Sequence, residues 1–427
     1  MSTQSSAAVV PEAPDPAWRR AEADRLLDGA RAGYAPTGGF WWLDSRGAPD
    51  RGRGRQLWIA TRMTHCFALG HLLGRPGDAA MVDHGIASLE GVFHDDEHGG
   101  WFARLDDSGP AALPKGAYEH AFVVLAAASA TVAGRPGGPD LLAAALQLQL
   151  DRFWDEQAGA VVEEWDRGWQ QCDPYRGANA NMHTVEAYLA AYDATGERAW
   201  RDRALRIATR LINGSARRHE WRLPEHYDAL WREQLDYNRD RPADPFRPFG
   251  ATPGHGLEWA RLLLHLAAAV AADAQAGPAP DWLVPAAVAL FDRAVSDGWD
   301  DGHGGGFAYT TDWHGKPVVP QHFHWVVCEG IAAADALYAS TGAQRFADAS
   351  ARMWAYARAV YLDPAVPGWQ HEVNPDGSPS AVTWTGRPDI YHALQAVLLA
   401  DLPLAPTLAA GLRAVTGFPA GSQQLGG

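Results

Sequence analysis

The chain has 427 residues, of which 47% are hydrophobic and 20% are charged. These values are ordinary for a folded protein with a large buried core, and they exclude disorder across the body of the chain. The formal net charge is −15, and no local run of Lys and Arg offsets it. A charge of this sign repels phosphate backbones and anionic lipid, which excludes nucleic acid and membrane surfaces as partners.

Cysteine usage and the N-terminal stretch indicate a cytoplasmic protein. Cys66, Cys172 and Cys328 are widely spaced, odd in number and form no CxxC pair, so neither a disulfide framework nor a zinc knuckle is indicated. The stretch MSTQSSAAVVPEAPDP lacks the basic start and apolar run of a signal peptide. No window holds the roughly 18 apolar residues that span a bilayer.

Helical patterns with apolar residues three and four positions apart recur along the chain. Examples are QLWIATRMTHCFALGHLLG, AYEHAFVVLAAASATVA, MHTVEAYLAAYDAT, GLEWARLLLHLAAAVAA and FHWVVCEGIAAADALYAST. Between them lie acidic turns followed by glycine and an aromatic residue, starting at His94, Trp154, Trp299 and Tyr361, with spacings of about sixty residues or a multiple of it.

Helical hairpins that cannot bury their apolar faces alone must stack on one another, and about six of them can close into a ring. The sequence therefore predicts an all-α fold, an (α/α)6 barrel with short β-hairpins in the connecting loops. We expect one catalytic domain over residues 17–403. A flexible N-terminus over 1–16 and a poorly ordered tail over 404–427 are expected to flank it.

In such a barrel the loops that enter the inner helices surround a central pocket, so functional residues should lie near inner-helix starts. The first candidate is Arg62, which interrupts an otherwise apolar helix. Its guanidinium either holds sugar hydroxyls and a developing oxyanion, or forms an ion pair with a neighbouring inner helix. Asn179 and His183, just before and at a helix start, either bind hydroxyls or cap the helix.

Two histidines near helix starts are candidates for proton transfer. Pro253 and Gly254 mark a turn, and the spacing of three between His255 and Glu258 places both on one face of the following helical turn. A second start carries His392 about one turn inside the helix. Two imidazoles facing one pocket suit acid/base catalysis near neutral pH, whereas either one alone is equally consistent with a buried structural histidine.

A metal site is not predicted. HDDEH at 94–98 lies in the repeated acidic turn, whose equivalents elsewhere lack the histidines, and the two histidines of HFHW at 322–325 point apart if that segment is helical. Glycoside hydrolysis, a common chemistry of such barrels, requires two carboxylates that flank the bond. Glu119, Glu258 and Glu329 are candidates for that pair, so a hydrolase stays open as an alternative on these residues alone.

Four motifs in order resemble the N-acylglucosamine 2-epimerase superfamily, and most closely its branch of mannose and sulfoquinovose isomerases. They are TRMTH at 61–65, NANMH at 179–183, TPGHGLEW at 252–259 and RPDIYH at 387–392. The resemblance covers nearly all of residues 17–402. It implies an (α/α)6 barrel, a reaction that passes through a cis-enediol without metal or cofactor, and a monosaccharide as the partner.

The resemblance also assigns roles to residues. It makes His255 and His392 the acid/base pair and implies that Arg62, His183 and Glu258 contact the sugar near its reacting oxygens. It adds a further set of pocket residues, Tyr118, Asn179, Glu329, Trp58 and Trp325. Sulfosugar isomerases of this branch bind a sulfonate through cationic residues, and Arg247 is the candidate for that contact here.

The function predicted from this resemblance is aldose–ketose isomerisation of a free monosaccharide. The substrate pair expected first is D-mannose and D-fructose, and D-lyxose and D-xylulose are the second choice. A mannose/glucose 2-epimerase or a sulfoquinovose isomerase built on the same site stays open as an alternative. The protein is expected to be a monomer or a homodimer.

Overall fold

Helices dominate the computed structural model, which describes residues 11–273, 275 and 277–418. The α-helices formed by these residues are α1 (Pro16–Ala30), α2 (Leu57–Leu72), α3 (Asp78–Glu90), α4 (Ala117–Val132), α5 (Gly138–Leu148), α6 (Ala178–Thr195), α7 (Arg198–Ala208), α8 (Pro253–Ala271), α9 (Leu283–Gly298), α10 (His324–Thr341), α11 (Gln344–Val360), α12 (Tyr391–Leu399) and α13 (Leu408–Thr416). Short π-helical segments, Gln149–Phe153 and Thr209–Ala216, extend α5 and α7.

Six helices form a closed inner ring, in the order α2, α4, α6, α8, α10 and α12, with α12 packed back against α2. Their sequences explain this position. In α4, for example, Ala, Val and Phe cover almost the whole circumference, and nearly every residue is buried. A helix that is apolar all round must be enclosed on all sides, and small residues let the inner helices approach closely.

The outer ring consists of helices with only one apolar face. Each packs on an inner partner, as α3 on α2, α5 on α4, α7 on α6, α9 on α8 and α11 on α10. The sixth pair joins the two ends of the chain, because α1 packs on α12. This arrangement confirms the predicted (α/α)6 barrel, with the last hairpin assembled from residues more than 350 positions apart.

Short strands connect the helices at the ends of the barrel. They are β1 (Arg55–Gln56), β2 (Arg104–Asp106), β3 (Gly109–Ala112), β4 (Lys115–Gly116), β5 (Trp154–Asp155), β6 (Ala160–Val161), β7 (Glu164–Trp165), β8 (Arg176–Gly177), β9 (His226–Tyr227), β10 (Ala308–Thr311), β11 (Pro317–Phe323) and β12 (Glu372–Val373). All pairings are antiparallel, with sheet orders β1-β2-β3, β10-β11-β12, β4-β7, β5-β6 and β8-β9.

Four of these strands determine where inner helices begin. β1, β4, β8 and β11 run directly into α2, α4, α6 and α10. Because each strand is held by a partner across the rim, the first turn of the following helix has a fixed position. The inner-helix starts therefore share one rim of the barrel, as the sequence predicted.

The repeated acidic turns adopt one local structure. Each follows an outer helix and closes with an antiparallel pair, His94 with Trp101, Trp154 with Val161, Trp299 with Phe307 and Leu362 with Trp369. The aspartate near the start of the first two turns accepts hydrogen bonds from backbone N–H groups inside the turn. The sequence repeat is thus a repeated hairpin that returns the chain from the outer ring toward an inner helix.

The C-terminal segment differs from the prediction of a poorly ordered tail over 404–427. Residues 408–416 form α13, which packs against α2, α4 and α12 and buries Leu408 and Leu412. The Thr407 side chain caps its N-terminus, and Gly417 ends it in the left-handed conformation. At the other end, α1 begins at Pro16, the last residue of the predicted N-terminal segment. Residues 1–10 and 419–427 of the two predicted termini lie outside the described residues. Within the described ranges, no helix is long and apolar enough to cross a membrane.

Candidate active site

A cavity of about 730 Å3, counting its open mouth, occupies the centre of the barrel at the rim where the inner helices begin. Every inner helix contributes side chains to it from its first two turns: Trp58, Arg62, Tyr118, Asn179, His183, His255, Glu258, His324, Trp325 and His392.

Helical spacing explains why these residues share the cavity. Trp58 and Arg62 are four residues apart on α2, and Asn179 and His183 are four apart on α6, so each pair lies on one face. α6 begins at Ala178, so Asn179 lies inside the helix rather than before it, and His183 lies in its second turn.

His255 is held by a buried carboxylate. Its Nδ1 lies 2.8 Å from Glu225 Oε1, and the Glu225 residue is 4% exposed. Because a carboxylate accepts, Nδ1 carries the proton and Nε2 has the free lone pair. Glu225 precedes β9, and its carbonyl accepts from the N–H of Ala178 at the start of α6. The backbone of a neighbouring inner helix thus fixes the residue that orients His255.

His392 has the same arrangement on the other side. Its Nδ1 lies 2.8 Å from Glu329 Oε1, and the second oxygen of Glu329 accepts from Arg261 Nε at 2.9 Å. Burial lowers the pKa of His392, although the hydrogen bond to Glu329 opposes that shift. Burial tends to raise the pKa of Glu329, but Arg261 and His392 together hold it below its ordinary value. His392 therefore remains a neutral base with Nε2 unprotonated.

One indole connects the two histidines. The Trp325 ring centroid lies 5.4 Å from that of His255 and 5.7 Å from that of His392, with interplanar angles of 39° and 40°. The close approach of α8 to α10 at this point depends on Gly254, because a Cβ atom there would lie 2.4 Å from the Trp325 ring. The two imidazoles thus face one cavity across a shared aromatic wall.

Glu258 lies deeper in the cavity than His255 and does not orient it. Its Oε1 lies 3.7 Å from His183 Nδ1 and 3.6 Å from a terminal nitrogen of Arg261. Burial and the nearby Glu329 carboxylate raise the pKa of Glu258 well above its ordinary value. Burial lowers the pKa of His183 to about 4. The cavity thus presents, side by side, an imidazole that is neutral at neutral pH and a carboxyl group whose affinity for a proton is raised.

Arg62 forms an ion pair and also lines the cavity, so each of its two hypotheses describes part of the structure. The guanidinium forms an ion pair of 3.3 Å with Asp389, in the loop that leads into α12, and donates to the Tyr118 hydroxyl at 2.9 Å. It also lies over the rings of Phe122 and Tyr391, with centroid distances of 4.4 and 4.7 Å. Arg62 still lines the cavity, so these contacts hold a fixed cation at its wall.

Three other residues considered in the sequence lie outside the cavity. Glu329 lies beneath it and supports His392. Arg247 packs over the Tyr175 ring at 4.0 Å and lies 3.9 Å from Glu163, so the proposed sulfonate contact does not face the central cavity. Glu119 lies beside Arg247 in a separate groove.

The histidines of the HFHW and HDDEH segments lie in different surroundings. HFHW is not one helix, because His322 lies in β11 and His324 begins α10, so their side chains have separate environments. His322 bonds to Tyr356, whereas His324 lines the cavity and stacks on His371 with ring centroids 3.8 Å apart. In HDDEH, His94 forms a surface hydrogen bond with Asp96.

The sequence did not reveal several residues of the site. Glu225 lies 30 residues before the histidine it holds, and no short motif connects them. Arg261 lies six positions after His255, in an apolar stretch of α8. Its local sequence does not distinguish it from a surface arginine, and only its burial in the structure does. Phe246 and Trp384 come from long loops and meet across the cavity mouth with ring centroids 5.3 Å apart.

Two groups of side chains bring together atoms of the kind that bind metals. They are His183, Glu186 and Glu258, and Glu258, Glu329 and His392, each with its atoms within 4.8 Å of one another. The Arg261 guanidinium lies among both, 2.9 Å from Glu329, 3.6 Å from Glu258 and 3.7 Å from Glu186. A fixed guanidinium therefore supplies, among these carboxylates, the positive charge that a metal ion would otherwise bring.

The fold and the two carboxylate–histidine pairs form a polar cavity, bounded by aromatic side chains, of the class that suits proton transfer on a small polar molecule. Comparison with known proteins is consistent with this class. The chain is 49% identical over 401 residues to a D-mannose isomerase of Thermobifida fusca, covering 93% of this chain and 97% of that protein. It is 47% identical over 396 residues to a D-mannose isomerase of Pseudomonas cannabina pv. alisalensis, covering 92% and 94%.

A crystal structure of a D-mannose isomerase aligns with a TM-score of 0.84 and 27% identity, over 90% of this chain and 97% of that one. The family model of N-acylglucosamine 2-epimerase (GlcNAc 2-epimerase) matches residues 38–396. The chain belongs to the N-acylglucosamine 2-epimerase family, and within it the chain is an isomerase.

Proposed function

We propose that the chain interconverts free D-mannose and D-fructose by proton transfer between His255, His392 and the sugar, without a metal or an organic cofactor. The observation that carries the proposal is the pair of histidines whose Nδ1 atoms are both fixed by buried carboxylates. This leaves the Nε2 lone pair of each for the substrate. The choice of mannose rests on the identity of 49% and 47% to two D-mannose isomerases.

Aldose–ketose conversion requires two proton movements. The C2 proton of the open-chain aldose moves to C1, and the O2 proton moves to O1, so no atom is gained or lost. We assign the carbon proton to His392, because burial keeps it neutral and Glu329 stabilises the imidazolium that forms. His255 opens the ring and then moves the protons on oxygen.

The negative charge that develops on the enediolate requires stabilisation. Arg62 is a fixed cation at the cavity wall, held by Asp389 and Tyr118. Glu258, whose pKa burial raises well above its ordinary value, is the group we assign as a second donor when its carboxyl carries a proton. Donors that are already oriented before the reaction stabilise such charge without reorganisation. Asn179 and His183 are placed to bind the remaining hydroxyls, against the walls formed by Trp58 and Trp325.

The alternative functions have less support. A sulfosugar requires a cation for its sulfonate, and among the described lining residues Arg62 is the one arginine, already paired with Asp389. A glycosidase requires two carboxyl groups that flank the scissile bond, one as acid and one as carboxylate. The acidic lining residues are Asp389 and Glu258, and Asp389 is paired with Arg62. Epimerisation at C2 differs only in the face to which the proton returns, so it is an outcome of the experiment below.

The experiment is incubation of the purified protein with D-mannose in deuterated water, with products followed by NMR. Fructose is the expected product, labelled at C1 to the extent that the proton held by His392 exchanges with the solvent, whereas glucose would identify a 2-epimerase. D-Lyxose and a sulfosugar are run in parallel to rank substrates. No turnover of any of these sugars would overturn the proposal.

Variants test the two histidines. His255→Ala and His392→Ala should each abolish turnover while the circular dichroism spectrum stays that of the wild type. His94→Ala, in a surface turn, is the matched control and should retain full activity. Wild-type activity in either of the first two variants would refute the role assigned to that histidine.

The cytoplasmic location remains a prediction, and the three cysteines, all free, are consistent with it.

A further inference from the structure

Three carboxyl groups from three inner helices lie close together inside the barrel. The Glu258 carboxyl has an oxygen within 4.8 Å of an oxygen of Glu186, and an oxygen within 4.8 Å of an oxygen of Glu329. Glu258 and Glu329 are each 1% exposed, and the Glu186 side chain is 12% exposed. Glu186 follows His183 by three positions on α6 and belongs to none of the four sequence motifs.

A single guanidinium serves all three carboxyl groups. Arg261 Nε donates to Glu329 at 2.9 Å. A terminal nitrogen of Arg261 lies 3.6 Å from Glu258 and 3.7 Å from Glu186. The arginine at the cavity wall is already paired with an aspartate. If all three groups were ionised, they would share one positive charge in a buried place, and a group in that situation keeps its proton instead.

Hydrogen bonds indicate which of the three keeps the proton. The Glu329 carboxylate accepts two hydrogen bonds, and Glu186 accepts one from the Tyr391 hydroxyl. Among the described residues none donates to Glu258, and its Oε1 is buried without a partner. Because hydrogen bonds to a carboxylate favour its charged form, Glu186 and Glu329 hold the negative charges. Glu258 is then the group that carries the proton.

The directions of the pKa shifts agree with this assignment. Burial tends to raise the pKa of Glu186, but the donors around it, chiefly His183 and Arg261, hold it below its ordinary value. For Glu258, burial and the Glu329 carboxylate raise the pKa, Glu186 adds to the rise, and Arg261 opposes it only in part.

Most other titratable side chains around the three carboxyl groups are neutral at neutral pH. Burial lowers the pKa of each imidazole in this set and raises the pKa of each phenol: His65 on α2, Tyr118 on α4, His183 on α6, His265 on α8, and Tyr391 and His392 on α12. His255, three positions before Glu258, is bonded to Glu225. The nearest charges that act on Glu258 are therefore those of Glu186, Glu329 and Arg261.

We propose that Glu186 is a positioning residue of the active site, because its carboxylate, together with that of Glu329, keeps Glu258 in the protonated form that donates to the enediolate oxygen. Glu186 lines a separate, smaller cavity and not the active-site cavity, so it acts on the substrate only through Glu258. The role in catalysis rests on the proposed function, whereas the protonation of Glu258 does not.

The direct test is infrared spectroscopy of the wild-type protein at neutral pH, where the C=O stretch of a protonated carboxyl is separate from the carboxylate bands. A protonated-carboxyl band that is absent from Glu258→Gln is the expected result. A difference spectrum without that band would overturn the proposal. The measurement needs no turnover, so it separates failure of this charge arrangement from failure of the proposed isomerase function.

The role of Glu186 is tested with Glu186→Gln, which removes the charge and keeps an oxygen that can accept from Tyr391. At an effective dielectric constant of about 20, a unit charge 4.8 Å away changes the pKa of its neighbour by about 2.5. We therefore expect the pH at which the Glu258 band disappears to fall by about 1 to 2.5. The alkaline limb of the kcat profile for fructose formation should move to lower pH by the same amount, because the donor loses its proton earlier.

Glu186→Asp keeps the charge, so both midpoints should stay close to those of the wild type. Glu90→Gln, at the exposed end of α3, should also move neither midpoint. Glu186→Met is a second neutral variant, for the case in which circular dichroism shows that the glutamine disturbs the fold.

A merely structural role for Glu186 would lower thermal stability and would reduce kcat at every pH alike, with both midpoints in place. Unchanged midpoints in the neutral variants, or a shift in Glu186→Asp as large as that in Glu186→Gln, would overturn the role of Glu186.

Discussion

Replacing Glu329 by Gln tests the proposed catalytic pair most sharply. The carboxylate accepts two hydrogen bonds, one from His392 Nδ1 at 2.8 Å and one from Arg261 Nε at 2.9 Å. A glutamine amide has the same shape but only one acceptor oxygen, so it cannot satisfy both donors. Since Arg261 stays charged, the amide oxygen should face it, and the NH2 group then faces His392.

This mismatch has a defined consequence for the base. To accept from the amide, His392 must carry its proton on Nε2, which removes the lone pair that takes the C2 proton. Loss of the correct tautomer in a comparable carboxylate–histidine pair costs about 10^4-fold in kcat, which equals about 5.4 kcal/mol of transition-state stabilisation. We therefore expect kcat of Glu329→Gln to fall by about 10^3- to 10^4-fold.

Glu225→Gln is the matched control. Glu225 bonds His255 Nδ1 at 2.8 Å, and no other described residue donates a hydrogen bond to its side chain. A glutamine there turns its oxygen to His255 and preserves the tautomer, so the loss should be about 10- to 100-fold, as for other supporting residues. The assay is formation of fructose from mannose, with urea unfolding as the measure of folding.

The reasoning would be refuted by near-wild-type kcat in Glu329→Gln. It would also be refuted by equal losses in the two variants, because the argument depends on Arg261 as the second donor to Glu329. A folding defect would be visible as a lower free energy of unfolding and would reduce kcat through the active fraction. Circular dichroism and the urea midpoint distinguish that case.

Three further predictions follow from the same contacts. Gly254→Ala should lower kcat/KM by at least 10-fold with the fold retained by circular dichroism, since its Cβ would meet the Trp325 ring at 2.4 Å; kinetics equal to wild type would contradict the close packing. Stability should fall as pH drops from about 6.5 toward 4, because His183 and His265 are buried neutral with pKa values of about 4 and take up protons on unfolding. Urea titrations at several pH values measure this, and a flat profile in that range would exclude it. Incubation with excess chelator should leave activity unchanged, because Arg261 supplies the positive charge among the carboxylates; a loss restored by a divalent ion would show that a metal takes part.

Much of the architecture follows from local sequence. Apolar spacing distinguishes inner helices, buried all round, from outer helices with one apolar face, and the spacing of about sixty residues between the acidic turns indicates about six hairpins. The placement of Arg62, His255 and His392 at inner-helix starts also follows, because a helix start, its turn residues and a four-residue spacing are local features.

The sequence by itself determined the helices, the rim on which the site lies and several of the side chains that enter the cavity. Only the tertiary structure decided which carboxylate holds which histidine. His392 and Glu329 are 63 residues apart, and Glu225 reaches His255 from a separate loop. Such pairs form only when the ring closes and brings distant helices to fixed separations, and no periodicity along the chain records that geometry. The same reason explains α13, whose short amphipathic pattern becomes stable only against the floor of the completed barrel.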